Sequence, residues 1–204
     1  QRFYRAGLGS ATEQRQEFAD WAGEEWPDGD LALCAFDVVT GRRVVLGPPA
    51  DNRPALPDAM RASSAVPMLY PPVRLGRRML VDGAVSSSTN LDVAIEAGAE
   101  LIVVAAPLTY EPDDVPSPHL RASKELFQRM LDCELRKARD AGVEVLVVRP
   151  GSQEAQVHGL NLLRADSGSQ TATLAHERTT ALLASREGLA FQRAWKARPL
   201  RAVR

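Results

Sequence analysis

Hydrophobic positions in the first half of the chain form short runs of strand length that are separated by turn residues. Two pairs of such runs each enclose a glycine-containing turn: 31–39 with 43–46, and 73–75 with 79–81. Short β-rich runs around a turn of this kind predict β-hairpins. The second hairpin would end at Asp82, just before the chain turns again at Gly83.

From about residue 90 onward the pattern changes to that of helices alternating with strands. A short helical stretch ends at Gly98 and precedes the apolar run 101–106, and a longer amphipathic stretch ends near Gly142 and precedes the run 143–148. A helix, a glycine and an uninterrupted apolar strand, repeated twice, predict parallel strands of an α/β sheet. Because such strands are covered on both faces, we expect 101–106 and 145–148 to be the most deeply buried runs.

Three further stretches favour helices on their apolar spacing: 1–30, 54–65 and 169–185. In the first of these, Phe18, Trp21 and Trp26 are spaced so that one face could pack inward. The last is followed by a basic tail at 189–204, which contains no acidic residue. We expect residues 1–188 to belong to one α/β domain and residues 189–204 to form this tail.

Composition and charge exclude several classes of protein. The chain has 204 residues, of which 45% are apolar and 25% charged, as in ordinary globular proteins. The chain has 25 Lys and Arg and 26 Asp and Glu. Because these charges nearly cancel, the net charge does not favour a nucleic acid partner. No apolar run approaches membrane-spanning length, and Gln1 to Arg5 lack the apolar core of a signal peptide. We expect a cytoplasmic protein, with contact to membranes at most peripheral.

The residue types that bind metals and cofactors form no recognisable motif. His119, His158 and His176 are scattered without metal-ligand spacing, and Cys34 and Cys133 lie in apolar or helical contexts where burial is expected. No Gly-x-Gly-x-x-Gly follows a strand, which argues against a dinucleotide-binding domain. We expect neither a metal nor a cofactor.

The strongest candidate for chemistry is Asp82, which follows three apolar residues and precedes Gly83. A carboxylate in that position lies at the end of a strand, where open α/β folds bind ligands. Gly83 allows a sharp bend and a close approach of the backbone to a substrate. An Asp-Gly pair is also a common turn, so structure alone could explain it. Asp37 is a second strand-borne acid, but it precedes a turn and is interpreted as structural.

Several motifs, in their order and spacing, resemble the second half of a bacterial patatin-like phospholipase. The similarity covers roughly residues 30–185 and rests on these segments: 61–67, 70–73, 81–85, 89–90 and 98–100, with Asp37, Thr40-Gly41 and Gly159-Leu160-Asn161 in addition. The resemblance implies a three-layer α/β/α fold with a mostly parallel central sheet. It also implies a serine hydrolase that cleaves lipid or other acyl esters with a Ser-Asp dyad.

The resemblance assigns roles to four residues. Asp82 corresponds to the dyad aspartate of the family's Asp-Gly-Gly or Asp-Gly-Ala motif, which here is Asp82-Gly83-Ala84. Gly83, Pro67 and Asn90 would bind the substrate or shape the site. Asn90 could equally be a helix cap.

The chain departs from the family pattern at the nucleophile. No serine lies in Gly-x-Ser-x-Gly, no run of three glycines could form an oxyanion loop, and Gly7-Leu8-Gly9-Ser10 has the wrong spacing. In the family both motifs precede the matched region. We therefore expect the N-terminal part of the domain, a serine-bearing segment of the same enzyme, to lie outside these residues and the chain to be inactive without it.

Three alternatives stay open on sequence grounds. A histidine-containing triad is formally available, although none of the histidines follows a strand and precedes a turn. Five serines could be proposed as replacement nucleophiles, but helix-end and capping roles suit them better: Ser63, Ser64, Ser86, Ser87 and Ser88. The chain could also be a non-catalytic module of the same fold that binds lipid or a protein partner.

Overall fold

The structure, a computed structural model, describes residues 11–47, 53–159 and 168–198, with Ala11 and His158 described by their backbone only. The helices in these ranges are α1 (Ala11–Ala22), α2 (Leu56–Ser63), α3 (Leu91–Glu96), α4 (Pro118–Asp140), α5 (Ser152–His158), α6 (Gly168–Ala184) and α7 (Arg186–Ala197). The strands are β1 (Leu33–Asp37), β2 (Arg42–Leu46), β3 (Val73–Leu75), β4 (Arg78–Asp82), β5 (Leu101–Ala105) and β6 (Glu144–Val148). They divide into two compact units that meet in sequence between Asn90 and Leu91.

The first unit contains a four-stranded sheet in the order β2-β1-β4-β3. Both predicted hairpins are confirmed: β1 pairs with β2 and β3 pairs with β4. Every neighbouring pair is antiparallel, so the expectation of a mostly parallel sheet does not hold for this unit. For the two hairpins the physical reason is the length of the connections, because turns of a few residues can join only antiparallel neighbours.

Helix α2 covers one face of this sheet. It begins with Pro57 in its first turn, where a missing N–H costs nothing, and its Ala59 and Ala62 are fully buried. They pack in one cluster with Ala35 of β1 and Leu80 of β4, both also at 0% exposure. Small alanines allow the helix to approach the sheet closely, which fixes the position of β4.

The aromatic residues near α1 only partly follow the prediction. Trp26 packs against the core cluster and its Nε1 donates to the Pro54 carbonyl oxygen at 2.8 Å. Phe18 is half-buried. Trp21 is 80% exposed, so the inward-facing assignment was wrong for this residue.

In the second unit, β5 and β6 form a parallel pair with Leu101 opposite Glu144 and Ala105 opposite Val148. The helix-glycine-strand pattern is therefore confirmed, and Gly98 and Gly142 end their helices with positive φ values of 83° and 72°. Between them the 23-residue α4 presents Leu131 to the core.

Burial of these two strands was over-predicted. Val104, Ala106 and Leu146 are at most 6% exposed, but Val103 is 56% exposed and Ala105 is exposed as well. Alternate residues of a strand point to opposite faces, and in the described residues the β5 face that includes Val104 is the covered one. Hydrophobic character alone did not reveal that the other face of β5 is open.

Two smaller expectations also meet the structure here. Cys34 is half-buried but Cys133 is exposed, so burial was wrongly expected for the second cysteine. Helix α7 overlaps the start of the predicted tail, with Phe191 at 9% and Trp195 at 57% exposure. The rest of the tail, residues 199–204, lies outside the described residues. Among the helices described, none combines the length and apolar character needed to cross a membrane.

Candidate active site

Asp82 is the last residue of β4, and two neighbours hold its backbone. It lies opposite Ala35 in β1, and its N–H donates to the Ala65 carbonyl oxygen just after α2 at 3.0 Å. The chain then forms a single turn of 3-10 helix at Gly83–Val85. The predicted sequence of strand, aspartate and turn is therefore present, and the position of Asp82 depends on the packed core beneath it.

The Asp82 carboxylate is half-buried and has one hydrogen-bond partner among the described residues. Its Oδ1 accepts the Ala84 N–H at 2.8 Å, whereas Oδ2 accepts no hydrogen bond from the described residues. Burial raises the pKa of this carboxyl above its ordinary value, and the Ala84 hydrogen bond opposes that effect only in part. A carboxylate with a raised pKa and an open oxygen is a better proton acceptor than one in water.

Gly83 is required for a reason that sequence analysis did not identify. Its φ is outside the left-handed range, but a Cβ at this position would lie 2.4 Å from the Cys34 carbonyl oxygen. The close approach is therefore to the backbone of β1. The expected approach to a substrate stays a prediction.

Serines near Asp82 mostly end or support local structure, as predicted. Ser64 Oγ donates to the Met60 carbonyl oxygen at 2.7 Å, and Ser86 Oγ donates to that of Gly83 at 3.0 Å. Ser87 Oγ accepts the Asn90 N–H at 2.7 Å. Ser63 is the last residue of α2. Ser88 differs, because its buried Oγ has no hydrogen-bond partner among the described residues.

Asn90 closes the loop that follows Asp82. Its Nδ2 donates to the Ser87 carbonyl oxygen at 3.0 Å, and its Oδ1 accepts from Arg43 Nη1 at 3.4 Å. Its φ of 49° is one that asparagine tolerates better than most residues. These contacts show that Asn90 stabilises the loop, whereas its role in shaping the site stays a prediction.

Pro67 lies two residues after Ala65, whose carbonyl oxygen receives the Asp82 N–H. The proline is exposed, and the next residue, Met68, has a φ of 70° and is 91% exposed. The hydrogen bond from Asp82 to Ala65 therefore links β4 to the segment that leads into the turn at 66–70. Its contribution to substrate binding stays a prediction.

Asp37, the other strand-borne acid, has a different environment. It is 2% exposed, and it accepts the Val39 N–H and Thr40 Oγ1 at 3.0 Å and the Met79 N–H at 3.3 Å. Burial acts to raise its pKa, but these hydrogen bonds and the charge of Arg78 outweigh it, so the pKa is lowered. An acid with both oxygens occupied in this way holds a turn, in agreement with the structural interpretation.

An apolar cavity lies away from Asp82. It has a volume of about 200 Å³ and lies in the second unit, beyond the carboxyl ends of β5 and β6. Lys124, which is 5% exposed, lines it, and its Nζ donates to the Pro107 carbonyl oxygen at 3.0 Å. Burial lowers the pKa of this lysine. Sequence analysis missed it, because lysine on an amphipathic helix is normally solvent-exposed.

A comparison with known families finds a match for the segment that contains the four-stranded sheet. Residues 27–95 match the family model of patatin-like phospholipases. This segment is patatin-like. It contains the whole four-stranded sheet, α2, Asp82 and Asn90, so the family recognised from the sequence is confirmed there. The match associates the segment with a family of lipid hydrolases, whereas the resemblance proposed for residues 96–185 stays a prediction.

Proposed function

We propose that Asp82 is the base of a Ser-Asp dyad in a lipid acyl ester hydrolase. The serine would come from a serine-bearing segment of the same enzyme, because no serine of these 204 residues lies in Gly-x-Ser-x-Gly. The main support is that Asp82 lies in the patatin-like segment and has a half-buried carboxylate with one open oxygen.

In the proposed reaction, Asp82 Oδ2 is the proton acceptor. Asp82 Oδ2 would accept the proton of the serine hydroxyl while the serine Oγ forms a bond to the acyl carbonyl carbon. When the tetrahedral intermediate collapses, the ester C–O bond breaks and the protonated Asp82 returns the proton to the leaving alcohol. Water then attacks the acyl-serine with the same base, which releases the carboxylic acid and restores the serine.

The hydrogen bond from Ala84 contributes orientation. It fixes Oδ1 toward the turn at Gly83–Val85, so that the proton-accepting oxygen is the other one. A single bond from a backbone N–H holds the group in place without lowering its pKa as far as the three bonds at Asp37 do. Asp82 is therefore better suited than Asp37 to proton transfer.

The experiment is a reconstitution with a nitrophenyl ester as substrate. We expect the 204-residue chain alone to show no turnover above buffer, and turnover to appear when the serine-bearing segment is co-expressed with it. A segment whose serine is replaced by alanine is the matched control and should restore nothing. Robust turnover by the chain alone, abolished by mutating one of its own serines, would contradict the proposal.

A further inference from the structure

Two turns of the patatin-like sheet contain the same tripeptide. Gly41-Arg42-Arg43 runs from the turn after β1 into the first two residues of β2, and Gly76-Arg77-Arg78 runs from the turn after β3 into the first residue of β4. Both glycines have positive φ, 68° and 61°, as tight turns of this type require. The tripeptides lie 35 positions apart in the sequence, and the pairing of β1 with β4 places them at the same end of the sheet.

Asp37 joins the two turns at one edge of the sheet. Its Oδ1 accepts N–H groups from Val39 in the first turn and from Met79 in β4, and the Val38 N–H donates to the Met79 carbonyl oxygen at 2.9 Å. Since β1 lies between β2 and β4, the first residues of both neighbours meet at the end of β1. We call residues 38–43 and 75–78 the basic tip.

The basic tip has four arginines and no acidic residue: Arg42, Arg43, Arg77 and Arg78. Val38 and Val39 are 51% and 67% exposed beside them. The strand ends border an open cavity of about 480 Å³ lined by Arg42, Arg43, Arg78 and Thr40, with Val44 and Asp37. The Asp37 carboxylate is already engaged by Val39, Thr40 and Met79.

We infer that the basic tip docks the protein on an anionic phospholipid surface. Guanidinium groups bind phosphate oxygens through paired hydrogen bonds, and each basic residue near an anionic bilayer adds to the attraction. Exposed valines next to them can enter the boundary between headgroups and acyl chains. A structural role would pair the arginines with acids. Arg43 donates to Asn90 and the charge of Arg78 acts on Asp37, whereas no ion pair is found for Arg42 or Arg77 among the described residues.

This inference rests on the proposed function, because a lipid hydrolase must meet a bilayer. The tip includes Arg78, the first residue of β4, and Asp82 is the last, so the two lie roughly 13 Å apart along one strand at about 3.3 Å per residue. Docking at the tip would therefore leave Asp82, at the other end of the strand, outside the contact with lipid.

The test is sedimentation of the 204-residue chain with vesicles. Vesicles of equal parts phosphatidylglycerol and phosphatidylcholine should pellet the protein, whereas phosphatidylcholine alone should not, and 0.5 M salt should release it because exposed charges are then screened. Removing one arginine from each turn, as in Arg42→Gln with Arg77→Gln, should weaken the partition coefficient roughly 30-fold. Val38→Ser with Val39→Ser should also weaken the partition coefficient, and this loss should depend less on salt than the loss in the arginine variant.

A matched variant removes the same charge elsewhere. Arg193→Gln with Lys196→Gln changes two exposed basic residues of α7, in the part of the basic tail that the structure describes. It should bind within about twofold of the unmodified chain, with circular dichroism confirming that both variants are folded. Equal loss in this variant, or equal binding to phosphatidylcholine, would overturn the inference.

A further variant separates this inference from the proposed function. Asp82→Asn should bind vesicles as tightly as the unmodified chain. Loss of binding in Asp82→Asn but not in the arginine variant would overturn docking at the tip. Full vesicle binding together with a failed reconstitution would leave the docking surface intact and remove only the catalytic proposal.

Discussion

Asp37 and Asp82 are on adjacent strands and the same face of one sheet, yet the pKa values of their carboxyl groups are shifted in opposite directions. Asp37 pairs with Leu80, and Asp82, two residues beyond Leu80, pairs with Ala35. Three hydrogen bonds lower the pKa of Asp37, whereas burial raises the pKa of Asp82, which accepts one hydrogen bond from the part of the chain that the structure describes. The number of N–H and O–H donors that each turn directs at its aspartate therefore distinguishes a structural acid from a candidate base.

The two turns differ because their backbones take different paths. After Asp37 the chain folds back at once into β2, so the N–H of Val39 and the hydroxyl of Thr40 point at the carboxylate. After Asp82 the chain enters a 3-10 turn and leaves the sheet, so among the described residues only Ala84 donates to the carboxylate. One oxygen consequently stays available at Asp82.

The largest expected effect is on catalysis. In the complete enzyme, Asp82→Asn should lower kcat/KM for a soluble ester by about 10²–10⁴-fold, because an amide cannot accept the serine proton. Asp37→Asn should retain activity in the fraction that stays folded. For the unmodified enzyme, activity should fall with decreasing pH at a value above 3.8, because the pKa of Asp82 is raised. Full activity of Asp82→Asn would show that Asp82 is not the catalytic base.

The next effect concerns the residue after Asp82. Gly83→Ala should destabilise the protein by roughly 1–3 kcal/mol in urea unfolding, because the added Cβ would meet the Cys34 carbonyl oxygen at 2.4 Å. Gly168→Ala provides the control, since a Cβ there meets nothing within 4 Å. An equal effect of both substitutions would show that the contact with β1 is unimportant.

A smaller effect should distinguish Asp37 by its pH dependence. The folded-state pKa of Asp37 is lowered, so its stabilising contribution is present above the ordinary value of 3.8 and is lost as pH falls through the folded pKa. Asp37→Asn should therefore melt at a lower temperature than the unmodified chain at pH 7. The difference should narrow below about pH 4, as thermal melts at several pH values would show.

The smallest effect has the opposite sign. The folded-state pKa of Asp82 is raised, so its ionised form opposes folding above 3.8 and this penalty disappears as pH falls below that value. Asp82→Asn should therefore melt at an equal or slightly higher temperature at pH 7, with the gain absent at low pH. A melting temperature lowered as much as in Asp37→Asn would indicate that Asp82 too is mainly structural.

Sequence alone determined the local elements and the patatin-like character of residues 27–95. Apolar runs and turn residues located both hairpins, and the helix-glycine-strand pattern located the parallel pair β5 and β6. The spacing of motifs around Asp82 identified the patatin-like segment that the family model also finds. These features depend on neighbouring residues, so a linear pattern contains them.

Only the tertiary structure established which groups meet across the sheet. It showed that one face of β5 is open at Val103, that Gly83 faces the backbone of β1, and that two Gly-Arg-Arg turns share one edge. It also supplied the physical basis for the difference between Asp37 and Asp82, which have the same apolar-acid-turn context in sequence. Burial and hydrogen-bond donors come from residues distant along the chain, such as Met79 for Asp37, and these set the pKa of each acid.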